Sequence, residues 1–162
     1  MADNADHNPY KKFTVRPQLL ESGKSSSVLA RNRDVSCGVQ VIATGGETNM
    51  HAHSGADEIW YVLAGEAKFY GEGDKLVATL AKNEGLLIPH GEPYWFESSQ
   101  PENLVLLRFG AKIADAGPDH RVDYAKREFI IAEGVQGGVE AQVAAGMVSR
   151  PAKVLEGEFF GD

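Results

Sequence analysis

The sequence predicts an all-β fold, a barrel or sandwich of short strands. From Val28 onward, short runs of apolar residues follow one another at close spacing. The runs are separated by turn-forming residues, including Gly45-Gly46 and the segment 71–74. These intervals are too short for crossover helices, so hairpins must join most of the strands.

Size and composition limit the classes of protein that fit. A chain of 162 residues with 43% hydrophobic and 24% charged residues has the length and composition of one globular domain with tails. The net charge of -7 argues against nucleic-acid binding, because phosphates would be repelled. A single cysteine, Cys37, cannot form an internal disulfide, and we expect it to be a small buried residue. With a polar, acidic N-terminus and no run of membrane-spanning length, we expect a cytoplasmic protein.

The first 27 residues are predicted to be an N-terminal tail and arm. Residues 1–12 are polar and lack periodicity. Residues 13–20 suit an edge strand or an arm, because Pro17 is better tolerated at an edge than inside a sheet. Residues 21–27 are rich in serine and are predicted to be a loop.

Nine strands are predicted in the following part of the chain. They span residues 28–31, 37–44, 49–53, 58–64, 67–70, 75–80, 85–88, 94–97 and 103–109. In the fourth strand, alternation places Trp60 and Val62 on the same inner face as Glu58. The intervening apolar residues then lie on the outer face. Both faces of this strand are therefore expected to be covered, by a second sheet, the tails or another subunit.

Residues 113–162 are predicted to form a C-terminal extension. Within it we predict a linker at 114–118, a strand at 128–133 and a helix-compatible stretch at 138–147. Because the chain closes with Phe159 and Phe160, we expect the extension to pack on the barrel or on a partner subunit.

The most informative pattern is a pair of histidines followed by a carboxylate. His51 and His53 are two residues apart, so on an extended strand both rings leave the same face. Glu58 opens the next extended run, after room for a turn. Two imidazoles and one carboxylate suit a divalent metal and leave coordination positions open.

The spacing of these residues resembles the first motif of the cupin superfamily. The matching positions are Gly45, His51, His53, Glu58 and Gly65. A second cupin motif is matched at Pro89 and Gly91 but departs at three positions. Asn83 stands where the motif has glycine, Ser98 where it has asparagine, and Tyr94 where it has the last metal-binding histidine.

The resemblance implies a single antiparallel β-barrel of jelly-roll type at residues 28–112, with N- and C-terminal extensions, paired as a homodimer. It also implies a metal-dependent enzyme acting on a small organic molecule, by dioxygenase, isomerase or decarboxylase chemistry. The His51, His53 and Glu58 set is that of non-haem iron oxygenases, which favours Fe(II) over Mn, Ni, Zn or Cu. The alternative is a non-catalytic barrel, with a degenerate metal site, that binds or senses a small ligand.

Three further side chains complete the candidate site. Tyr94 has three interpretations: a metal ligand, a hydrogen-bond donor or general acid beside a substrate, or a residue that fills space. Arg108, inside an apolar run, either pairs with an anionic substrate or forms a surface salt bridge. His90 is expected at the rim, facing away from the metal ligands.

Overall fold

The computed structural model describes residues 9–124 and 152–162. The strand predicted at 128–133 and the helix-compatible stretch at 138–147 lie outside the described residues. The described strands are β1 (Gln18–Ser22), β2 (Lys24–Arg31), β3 (Val35–Ile42), β4 (His51–His53), β5 (Ala56–Ala64), β6 (Ala67–Tyr70), β7 (Leu76–Leu80), β8 (Gly85–Ile88), β9 (Trp95–Ser98), β10 (Leu104–Lys112), β11 (Arg121–Asp123) and β12 (Lys153–Phe159). Within the described ranges, no helix has the length and apolar character needed to cross a membrane.

The strands form antiparallel sheets, which confirms the predicted jelly-roll class. A five-stranded sheet has the order β2-β3-β10-β5-β8, and a three-stranded sheet has the order β7-β6-β9. Two ribbons, β4 with β11 and β1 with β12, complete the described strands. One apolar core packs between the sheets, and its largest fully buried side chains are Trp60, Phe69, Phe96, Leu104 and Leu106.

A second core shows what covers the outer face of the large sheet. Its buried members are Leu20, Val39, Val41, Ala43 and Val105. Val15 and Phe160, from the two ends of the described chain, pack against them. The chain's own terminal segments therefore cover this face, and the predicted homodimer stays a prediction.

The alternation predicted for β5 is confirmed on its inner face. Glu58, Trp60 and Val62 are all buried, with 1%, 1% and 0% exposure. On the outer face, Leu63 packs in the second core, but Ile59 is 44% exposed. The described part of this chain leaves Ile59 uncovered, and its coverage by another subunit stays a prediction.

The loop predicted at residues 21–27 is wrong. Ser22 ends β1 and Lys24 begins β2, with Gly23 alone between them at φ +83°. A single glycine makes this turn because glycine adopts a positive φ without a steric penalty. The serines that suggested a loop are edge-strand residues, and β2 is hydrogen-bonded only to β3 among the described strands.

The turn at Gly23 is held by contacts with the first-motif loop. Gly23 N–H donates to Thr44 O at 2.9 Å and Gly23 O accepts from Ala43 N–H at 2.9 Å. Gly46 lies so close that a Cβ placed on it would stand 2.2 Å from Gly23 O. The backbone of Gly46 can approach Gly23 this closely only because Gly46 carries no side chain.

The C-terminal extension supplies a strand that the sequence did not predict. β11 pairs antiparallel with β4, with Arg121 opposite His53 and Asp123 opposite His51. A segment beyond β10 therefore reaches the histidine strand directly.

Candidate functional site

One end of the large sheet carries charged residues on its inner face. On β10, Leu104 and Leu106 are followed by Arg108 at the same alternation. On β5, Glu58 lies opposite Gly110, and Arg108 lies opposite Trp60. Arg108 and Glu58 are thus diagonal neighbours on one face, within reach of long side chains.

Glu58 is a buried carboxylate, and both of its oxygens accept hydrogen bonds. Oε1 accepts from Arg108 Nε at 2.6 Å and from Arg108 Nη2. Oε2 accepts from the hydroxyl of Tyr94, whose oxygen in turn accepts from Trp60 Nε1–H at 3.2 Å. A carboxylate can be this deeply buried because a cation and a hydroxyl compensate its desolvation.

Tyr94 acts in this arrangement as a hydrogen-bond donor. Burial, followed by the negative charge of Glu58, raises the pKa of Tyr94 well above its usual value. The phenol therefore keeps its proton at physiological pH. Its backbone forms a bridge with His51, by reciprocal N–H···O bonds of 2.9 Å, which fixes the ring beside that imidazole.

His51 is a buried, neutral imidazole. Its Nδ1 lies 2.7 Å from the carbonyl oxygen of Asn49, which can only accept, so Nδ1 carries the proton. Burial and the nearby Arg121 cation lower the pKa of His51 to about 3, despite the bond to Asn49. Nε2 is therefore an unprotonated nitrogen at neutral pH.

His53 is held from two sides. Its Nδ1 lies 3.1 Å from Asp119 Oδ2, and its Nε2 lies 3.3 Å from Glu58 Oε1 and 3.5 Å from Arg108 Nη2. Asp119 also accepts the N–H of Gly55 at 3.1 Å. Burial alone would raise the pKa of Asp119, but the bonds to Gly55 and His53 outweigh it and lower the pKa.

The four predicted metal ligands are brought together, but Glu58 is not free to bind a metal ion in this arrangement. The rings of His51 and His53 lie 5.6 Å apart, and Tyr94 lies 4.5 Å from His51. Glu58, however, is already bound to Arg108 and Tyr94, so a metal would have to displace a guanidinium. Across residues 9–124 and 152–162, no three or more His, Cys, Asp or Glu side chains form a group that could hold a metal. Metal binding stays a prediction.

These side chains surround a cavity of about 130 Å³ inside the barrel. Its lining residues are Lys24, Gln40, Thr48, His51, His53, Trp60, Tyr94, Phe96, Arg108 and Arg121. Arg108 pairs with Glu58, and Arg121 pairs with Asp123 at 2.7 Å. In the described part of the chain, Lys24 has no carboxylate within salt-bridge distance, and its Nζ lies 5.7 Å from the centre of the Phe96 ring.

Two larger cavities adjoin this interior one. A cavity of about 290 Å³ shares Arg108 with it, and an apolar cavity of about 600 Å³ shares Tyr94. Arg108 and Tyr94 therefore stand between the interior and the two outer spaces.

Several lining residues escaped the sequence prediction. Lys24 lies in the serine-rich segment that was predicted to be a loop, and Gln40 and Arg121 belong to no recognised sequence motif. Gln40 Oε1 is buried and accepts no hydrogen bond within the described residues. The surface salt bridge predicted for Arg108 is wrong, because its partner Glu58 is buried, and pairing of Arg108 with an anionic substrate stays a prediction. His90 lies at the surface as predicted, 2.9 Å from Asp57.

Comparison with protein families finds a match in the central part of the chain. The profile of the cupin domain matches residues 38–109, which include the predicted ligands His51, His53, Glu58 and Tyr94. No curated protein matches the chain.

Solved structures support the same fold. An uncharacterized protein with a double-stranded β-helix domain from Klebsiella pneumoniae is 22% identical with a TM-score of 0.55, covering 68% of this chain and 91% of its own. A cupin-like protein from Thermotoga maritima is 20% identical with a TM-score of 0.54, covering 66% and 82%. A cupin superfamily protein from Desulfitobacterium hafniense is 19% identical with a TM-score of 0.51, covering 57% and 81%. At these identities the likeness concerns the fold alone.

Proposed function

Since residues 38–109 form a cupin domain, we propose that the barrel interior is this chain's functional site and that it binds a small organic anion. The fold hosts many chemistries, so the proposal depends on the side chains of this cavity.

The observation that carries the proposal is the charge of the cavity wall. Lys24, Arg108 and Arg121 line it, and carboxylates lie behind only the two arginines. Lys24 therefore leaves one positive charge without a partner in the described structure. A partly dehydrated wall with one more cation than carboxylate partners is stabilised by an anion, and a ligand carboxylate beside Arg108 and Arg121 would supply one.

The remaining wall defines the size and character of the ligand. A cavity of about 130 Å³ has the volume of about four water molecules. Trp60, Tyr94 and Phe96 give it an aromatic side. These features suit a small carboxylic acid whose carbon skeleton lies against the rings and whose carboxylate faces the cations.

Binding of a panel of small acids tests this proposal. Acetate, propionate, pyruvate and lactate are compared with their neutral amides by calorimetry and thermal unfolding. We expect the acids, and not the amides, to bind and to raise the melting temperature. Arg121→Gln should weaken binding about tenfold, since it removes one charged contact, while Lys82→Gln, at an exposed turn outside the cavity, should not. Equal behaviour of acids and amides would overturn the proposal.

A metal-dependent enzyme, of the Fe(II) dioxygenase type or an isomerase or decarboxylase, is the second candidate. It is favoured by the two imidazoles, because each Nδ1 is held by an oxygen of Asn49 or Asp119, as in metal-binding histidines, and both rings line the cavity. It requires Arg108 to release Glu58. Elemental analysis after incubation with Fe(II) tests it: one iron per chain, lost in His51→Ala, supports a metal site, and no retained metal removes it.

A further inference from the structure

Resting on the proposed anion site, we propose that Lys24 is a nucleophile that forms an imine with the bound ligand. The ligand class is then a small 2-oxo acid or aldehyde acid, with its carboxylate on Arg108 and Arg121 and its carbonyl carbon facing Lys24 Nζ. No motif in the sequence points to this lysine.

The fold places Lys24 in the cavity by a defined route. The Gly23 turn ends one residue before it, and β2 begins at Lys24 opposite Ile42, a member of the apolar core between the sheets. From this position its side chain passes over the ring of Phe96 into the cavity wall. The two arginines of the wall each pair with one carboxylate, Glu58 or Asp123, through Nε and Nη2, whereas the amine of Lys24 is bound to no carboxylate in the described ranges.

The surroundings of Lys24 favour the neutral amine. Burial, then the cations Arg121 and Arg108, lower its pKa to about 8, and Glu58 opposes this only in part. About one tenth of the molecules then carry a free amine at pH 7, far more than for an ordinary lysine. Desolvation beside other cations is a recognised way to activate a lysine for attack on a carbonyl.

The step is balanced without an external oxidant or reductant. The nitrogen lone pair adds to the carbonyl carbon while the C=O π electrons move to oxygen, which takes up a proton. The carbinolamine then loses water as the C=N bond forms, so that amine and carbonyl become imine and water. Arg108 and Arg121 stabilise the carboxylate throughout, which holds the carbonyl near the amine.

Reductive trapping of the full chain tests the inference. The protein is incubated with pyruvate and sodium cyanoborohydride, and adducts are located by peptide mass spectrometry. We expect Lys24 to be modified at least about tenfold faster than exposed Lys82, because the neutral amine and the bound carboxylate act together. The rate should rise between pH 6.5 and about 8 and then level off, as the pKa of Lys24 requires. Labelling spread equally over both lysines would overturn the inference.

Two controls separate this inference from the anion site itself. Excess propionate, which has a carboxylate and no ketone, should slow labelling of Lys24 in the wild-type protein and leave Lys82 unchanged. Lys24→Arg should remove the adduct at this position while surface labelling continues. If small acids bind and raise the melting temperature but no adduct forms at Lys24, the imine is disproved and the anion site stands. If neither occurs, both proposals fail.

Discussion

The two ends of the barrel interior differ in the interactions that stabilise their buried side chains. On β5 and β10, Val62, Leu104 and Leu106 lie at one end, and Glu58 and Arg108 lie at the other, on the same inner faces. The apolar end is stabilised simply by removing its surface from water. The polar end is held by pairing, because each buried charge is tolerated only while its partner stays in place.

The difference between the two ends indicates that the polar end is the functional one. Replacing a buried ion pair by apolar residues of similar volume is often neutral or stabilising, so the polar end is a poor way to gain stability. Its presence at one end of an otherwise aromatic core is better explained by a ligand. The predictions below test how sharply the two ends differ.

The largest loss is expected at the apolar end. Phe96 is fully buried and stacks on Phe69 with ring centroids 4.8 Å apart. Phe96→Ala should lower the free energy of unfolding by about 4 kcal/mol, through lost burial and the cavity left behind. Urea denaturation measures this. A loss below that of the Arg108 variant described next would reverse the comparison.

Breaking the ion pair should be nearly as damaging. Arg108→Met leaves the carboxylate of Glu58, 1% exposed, without its cation, and should cost about 3 kcal/mol. The double variant Arg108→Met, Glu58→Leu removes both charges and should recover most of that loss. If the double variant is no more stable than the single one, the pairing does not explain the polar end.

Tyr94 lies where the two ends meet, and its hydroxyl should contribute less. Tyr94→Phe removes the donor to Glu58 and leaves Trp60 Nε1 without its acceptor. We expect a loss of about 2 kcal/mol, measured by urea denaturation, because two buried polar groups lose a partner. The ring stays in place, so the crystal structure of the variant should show an unchanged core. A neutral effect would mean that water replaces the hydroxyl.

The smallest effect concerns Lys24 and depends on pH. An unfolded lysine keeps its proton up to about pH 10.5, whereas folded Lys24 releases it near 8. Between these values the unfolded chain binds more protons, so the stability of the wild-type protein rises with pH. Lys24→Met lacks this rise and should be more stable than wild type by about 1 kcal/mol at pH 7, and the gap should shrink to about a quarter of that by pH 10. Unfolding at both pH values checks the sign, and a gap that widens would contradict it.

The parts that the sequence predicted are those with a local pattern. Alternation on β5 predicts that Glu58, Trp60 and Val62 share a face, and they do. The spacing of His51 and His53 predicts that both rings leave one side of a strand, and both line the cavity. These patterns are visible because each depends on residues within one strand.

The parts that the sequence missed depend on pairing between distant segments. Arg108 and Glu58 are fifty positions apart, and nothing local shows that they meet. β11 brings Arg121 to the histidine strand from beyond the barrel, and Asp119 reaches His53 in the same way. The carboxylate expected to bind a metal is therefore taken by a cation that only the folded topology brings near.

The contact between Gly23 and Gly46 has a consequence for any attempt to evolve this protein. Randomised codons at position 46 should return glycine almost alone, because every other residue would collide with the carbonyl of Gly23. Position 45, at φ +78°, should return glycine and asparagine, because these residues best tolerate a left-handed backbone. A selection for altered ligand preference should therefore accept substitutions in the cavity wall. Gly23 and Gly46, whose contact precedes Lys24, should stay unchanged.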